Sequence, residues 1–205
     1  MVLPIAAAGS DCDLIDRRFR PGKEKLTRVA IPMKSTRLSA TILALLYIGY
    51  LGCWAWSASH LPDPVATHFD ARGVPNGWMT RSGNNLFMLI FGLAFPLFIV
   101  VLSHATRFLP SALINIPHRE YWLAPEKRLE TSNYLLCGSL WLACLAVWFV
   151  TGILLSVVDA NQRTPARLSV PILLGSVLPF LVGTVIWLIA LVRHFNRTSF
   201  PAPKA

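Results

Sequence analysis

Four stretches of this chain contain no Asp, Glu, Lys or Arg: residues 38–60, 82–106, 131–158 and 168–192. Nothing else in the sequence limits the fold so tightly. Each stretch exceeds the roughly 20 residues, at about 1.5 Å of rise apiece, that cross a hydrocarbon core about 30 Å thick. Inside lipid every backbone N–H and C=O needs a partner within its own segment, so runs of this length read as helices. Four buried helices of a water-soluble bundle would show a polar stripe at 3.6-residue spacing, and residues 140–155 show none. Charged residues make up 14% of the chain, against about a quarter in soluble domains. The expectation is an all-α integral membrane protein with spans at about 38–59, 85–106, 134–158 and 169–192. These would be joined by an outer loop 60–84 and an inner loop 107–133, with a membrane domain over 38–195 and a terminal tail 196–205.

The net charge of +9 invites a nucleic-acid reading, but its placement argues against one. Eight of the 19 basic residues precede the first span. Arg72 and Arg81 lie between the first two spans, and Arg107, Arg119, Lys127 and Arg128 between the next two. Arg163 and Arg167 separate the last pair, and Arg193, Arg197 and Lys204 follow. This alternation is the positive-inside pattern of a protein with both ends in the cytoplasm. The basic balance then serves topology and contact with anionic lipid. The expected partners are the bilayer and a membrane or secreted protein, with no nucleic acid and no cofactor.

Residues 1–37 mix Gly, Pro and charge without a sustained apolar period and read as a disordered basic tail. Met33 opens a second plausible start, Met-Lys-Ser-Thr-Arg, directly before the first apolar run. That run is too long for a cleaved signal core and ends in Trp54 and Trp56, residues typical of the membrane interface. Gly49 and Gly52 in the first span suit close helix approach, and Pro96 and Pro179 predict kinks. Cys12 is in the tail, Cys53 in the first span, and Cys137 and Cys144 share a face of the third. None falls in an outer loop, so no structural disulfide is expected. The spans hold almost nothing ionisable, which weighs against ion-coupled transport and against an intramembrane hydrolase.

The outer loop carries the densest signal. It runs His60-Leu-Pro-Asp-Pro-Val-Ala-Thr-His-Phe-Asp-Ala-Arg-Gly-Val-Pro-Asn-Gly-Trp-Met-Thr-Arg81. Pro62 and Pro64 should stop the first helix. Asp70 and Gly73 suit the ends of a type I turn, and Asn76-Gly77 suits a tight primed turn. Phe69 and Trp78 are candidate apolar anchors. His60, Asp63, His68 and Asp70 fall within 11 residues and are candidate metal ligands, and the two histidines are also candidate pH-sensing groups. Local structure and partner binding account for them more simply, and no metal is expected.

Leu-Pro-Asp-Pro-Val, then His-Phe-Asp, then Gly-Val-Pro-Asn-Gly-Trp resembles the signature of the bacterial domain-of-unknown-function family 1648. That domain also forms the first part of SdpI-type membrane proteins, known for immunity to a secreted toxin. The resemblance implies a binding role for Leu61, Pro62, Asp63, His68, Phe69, Gly73 and Trp78. Asn76 stands where the family often has Asp. The inner loop 115–128 is similar to a segment found in a subset of that family, and gives a second candidate set: Asn115, Pro117, Tyr121, Trp122, Pro125 and Glu126. Pro125 suits the first position of a short helix, Glu126 its positive end, and Tyr121 and Trp122 the interface belt.

These readings converge on a non-enzymatic, multi-pass protein of the bacterial cytoplasmic (inner) membrane. It would act as a sensor, immunity or accessory factor with residues 60–81 as its recognition surface. The alternative is a small transporter or export subunit, for which the spans offer few polar groups, chiefly Asn84, Asn85, Ser139, Ser156 and Ser176. A membrane enzyme ranks third.

Overall fold

The computed structural model describes residues 33–196, with side chains from residue 36 onward. The expectations for residues 1–32, Cys12 among them, and for the last nine residues lie outside the described residues, whereas residues 33–37, expected in the tail, form the first turn and more of a helix. Among the described residues four helices are long and apolar enough to cross a membrane. They are α1 (Met33–His60), α2 (Arg81–Ala105), α4 (Arg128–Gln162) and α5 (Val170–Asn196). A four-residue helix, α3 (Arg119–Trp122), lies between α2 and α4, after a single 3-10 turn at Ser111–Leu113. The helices extend a few residues beyond the uncharged runs. Arg81 and Arg128 open helices, because a charged residue at the headgroups costs little and its backbone still gains helical hydrogen bonds.

The chain is mostly helical but not entirely so. Between α1 and α2 it forms a β-hairpin, β1 (Val65–Phe69) and β2 (Pro75–Met79), paired antiparallel. Helix α1 ends at His60, just before Pro62, which has no N–H to continue the ladder. Helix α2 begins with Thr80 as its cap, whose Oγ1 accepts from Gly83 N at 3.1 Å.

Helix α4 is the centre of the bundle and packs against α1, α2 and α5. It is the longest helix and the most enclosed, with Ala143, Ala146, Val150, Leu154 and Ala160 fully buried. Apolar surface gains little by moving from lipid to protein, so such a bundle is held by close packing and interhelical hydrogen bonds. Both are present. A Cβ at Gly152 would stand 2.0 Å from Ser176 Cβ, so α4 and α5 touch at backbone range there. A Cβ at Gly92 would run into the Tyr50 ring at 2.1 Å. Gly49 and Gly52 have open space beside them, and the close approach expected of them is made by Gly92 and Gly152 instead. The reason is that the α1 face turned to α2 is aromatic. Tyr47 donates to Leu93 O at 3.0 Å, Tyr50 to Met88 O, and Trp54 Nε1 to Asn85 O at 2.9 Å. Positions 47, 50 and 54 follow helical spacing, so one stripe of α1 stitches the two helices together. The smaller partner therefore has to be on α2.

Candidate functional site

The hairpin's turn is written in Asp70 and Gly73. Gly73 N donates to Asp70 O at 2.9 Å, closing the four-residue turn, and Gly73 sits at φ +77°, where other residues are strained. Asp70 Oδ1 accepts from Arg72 N at 2.9 Å and Val74 N at 2.8 Å. Its carboxylate is held below the usual aspartate range, foremost by the Val74 N–H. Desolvation pushes the other way, and the Arg72 N–H, the Arg72 guanidinium and Arg167 add to the lowering. Asn76-Gly77, expected as a second turn, lies within β2. The chain has already reversed at Asp70–Gly73, and Gly77 serves another need. It is paired with His68, and a Cβ there would lie 3.0 Å from His68 Cβ and 3.2 Å from Nδ1.

Three sets of contacts hold the hairpin down. At its base, Asp63 Oδ1 accepts from Arg81 N at 3.2 Å and Arg81 donates to Leu61 O at 3.4 Å, tying the end of α1 to the start of α2. At mid-length, Asn161 in the last turn of α4 reads the backbone of Ala66. Its Oδ1 accepts from Ala66 N at 2.8 Å and its Nδ2 donates to Ala66 O at 2.9 Å. The carboxamide thus acts as one residue of a third strand. At the tip, Leu168 N donates to Gly73 O at 3.0 Å, just before α5 begins. These contacts run from α1 and α2 through α4 to α5, so the hairpin forms a strap across one end of the bundle. Beneath it Leu61 and Val65 join a core with Tyr50, Met88, Leu154, Val157 and Val158.

The family-like residues divide accordingly. Leu61 is a core residue, Asp63 binds the first N–H of α2, and Gly73 makes the turn. Pro62 and His68 are exposed and Phe69 is half-buried. Trp78 is 57% exposed, so it does not anchor the loop within the chain. Val65, Ala66 and Asn161 do that, and the sequence reading passed over all three. Trp78 faces outward beside Val74 and Pro75, forming one wall of a shallow groove. Pro165, Ala166 and Arg167 form the other, with Arg72 at the rim.

The structure does not assemble the candidate metal ligands. His60 Nδ1 lies 2.7 Å from Trp56 O, Asp63 meets the α2 backbone, His68 lies beside Thr67, and Asp70 is taken up in its turn. Among the described residues no three His, Cys, Asp or Glu side chains gather as a metal site would require.

At the opposite end the segment between α2 and α4 is also structured. Trp122, expected in the interface belt, is instead buried, because its Nε1 donates to Phe195 O at 3.0 Å and its ring packs on Phe195. Tyr121 meets the Trp122 ring edge-on, and Lys127 stands 5.4 Å over Tyr121. Pro125 does not open the short helix, which forms upstream at Arg119–Trp122. It follows Ala124, whose carbonyl accepts from Lys127 and Arg128 as α4 begins. Asn115, Pro125 and Glu126 are exposed, and Pro117 precedes His118, whose φ of 52° turns the chain into α3. Arg128 donates to Thr106 O at 3.4 Å and to Leu109 O, where a cation suits the carbonyl end of α2.

No curated protein and no solved structure matches this chain. Residues 43–94, running from within α1 through the strap and into α2, match the family model of the Domain of unknown function (DUF1648).

Proposed function

We propose that this chain is a non-enzymatic protein of the bacterial cytoplasmic membrane whose strap is a recognition surface. Both termini lie in the cytoplasm, following the basic residues of the sequence, and the strap faces outward. The protein acts as a sensor, immunity or accessory factor for a membrane or secreted partner, and the segment 107–127 is its output side. One observation carries this reading: the two loops at the strap end, far apart in sequence, fold into a single docked cap that still leaves Trp78 and Val74 exposed beside Arg72 and Arg167. A mere connector would need neither the Asn161 bridge nor an exposed tryptophan, a residue type enriched where binding energy concentrates.

The bundle interior offers less to a transporter. Ser139, Ser156 and Ser176 are buried, and each hydroxyl donates to a carbonyl of its own helix. Capture of bound proteins from detergent-solubilised membranes tests the proposal. A partner held by the wild type and lost with both Trp78→Ala and Arg167→Ala, at equal membrane levels, supports it. A partner retained by both but lost with Tyr121→Ala or Glu126→Ala would move the functional centre to the opposite end.

A further inference from the structure

Asn84 is 1% exposed, yet neither its Oδ1 nor its Nδ2 meets a hydrogen-bond partner among the described residues. It opens the buried face of α2, which continues through Met88, Gly92 and Pro96 into the packing with α1 and α4. The strap lies just above, since β1 touches α2. The neighbouring Asn85 repeats the pattern: its Oδ1 is buried and also without a partner, although its backbone carbonyl takes Trp54 Nε1. Such groups are rare inside proteins, because leaving one unpaired forfeits its hydration for nothing.

We infer that Asn84 is the binding site of a buried water molecule beneath the strap. The chemistry of the orphaned atoms selects the ligand. A carboxamide presents two N–H donors and an acceptor oxygen, and here both ends lack partners. A cation would satisfy Oδ1 and leave Nδ2 bare, and an anion would do the reverse. Exchanging the amide O and N does not help, because neither position has a protein partner. Water donates and accepts at once, and buried water typically takes up two to four such bonds with otherwise unpaired polar groups.

A crystal structure of the full chain, grown from a lipid phase at a resolution that shows ordered water, tests the assignment. The expected result is a water peak within about 2.7–3.2 Å of both Asn84 Oδ1 and Nδ2. An amide bonded instead to protein groups, a lipid or detergent atom against it, or no density at that place would overturn the inference.

Discussion

Replacing Asn161 with Ala should release the strap from the bundle. The carboxamide makes three bonds, to Ala66 N, Ala66 O and Val157 O, and the first two are the strap's mid-length attachment. Ala66 is 1% exposed, so truncation strands a buried N–H and a buried C=O together. One unpaired buried group costs about 1–3 kcal/mol. Some relaxation will let water in, and we expect a loss of about 2–4 kcal/mol for opening of the strap, or roughly 30- to 900-fold in its opening equilibrium. Hydrogen exchange of the wild type and variant in lipid nanodiscs would read this directly, because local openings report their own free energies. Amides of β1 and β2 should speed up, while those in the middle of α4 should hold. Asn161→Asp should also loosen the strap, since a carboxylate accepts from Ala66 N but cannot donate to Ala66 O and repels it. Exchange in residues 65–79 within threefold of wild type would refute the claim that Asn161 fastens the strap.

Gly92→Ala should sharply lower the folded protein in membranes, because its Cβ would fall on the Tyr50 ring, and Tyr50→Ala in the same chain should partly restore it. Gly73→Val should lower the level too, through the strained φ and a Cβ 3.1 Å from Leu168 O, as quantitative blotting of membranes would report. The depressed Asp70 carboxyl gives a pH dependence of definite sign. Its native value lies below the unfolded one, so its contribution to the turn is complete above the ordinary aspartate range and disappears as pH falls through the lower native value. Hairpin exchange protection, corrected for intrinsic rates, should decline on acidification in that window, and Asp70→Asn should flatten the decline.

The spans were legible because lipid imposes a rule that sequence states openly, long runs without charge. The Asp70–Gly73 turn was legible for a similar reason, since its chemistry is local. The strap was not. Its strands hold Pro75, Asn76 and Gly77, which are poor strand formers, and its stability comes from Asn161, some 95 residues beyond Ala66. A single carboxamide in the last turn of an apolar helix was the available signal. It becomes meaningful only once a strand edge is known to need a partner. Gly77 misled because Asn-Gly usually marks a turn, whereas here the glycine makes room for His68. Trp122 misled because an interfacial tryptophan and one buried against the end of α5 look the same in sequence.

The central claim, that the strap presents a recognition surface to the outside of the cell, is tested most directly by cysteine labelling in intact cells. Trp78→Cys and Ser111→Cys would each be placed in a chain whose own four cysteines are replaced by serine. A membrane-impermeant maleimide should label position 78 at once and position 111 only after permeabilisation. Labelling of position 111 in intact cells, with position 78 protected until the membrane is opened, would contradict the account.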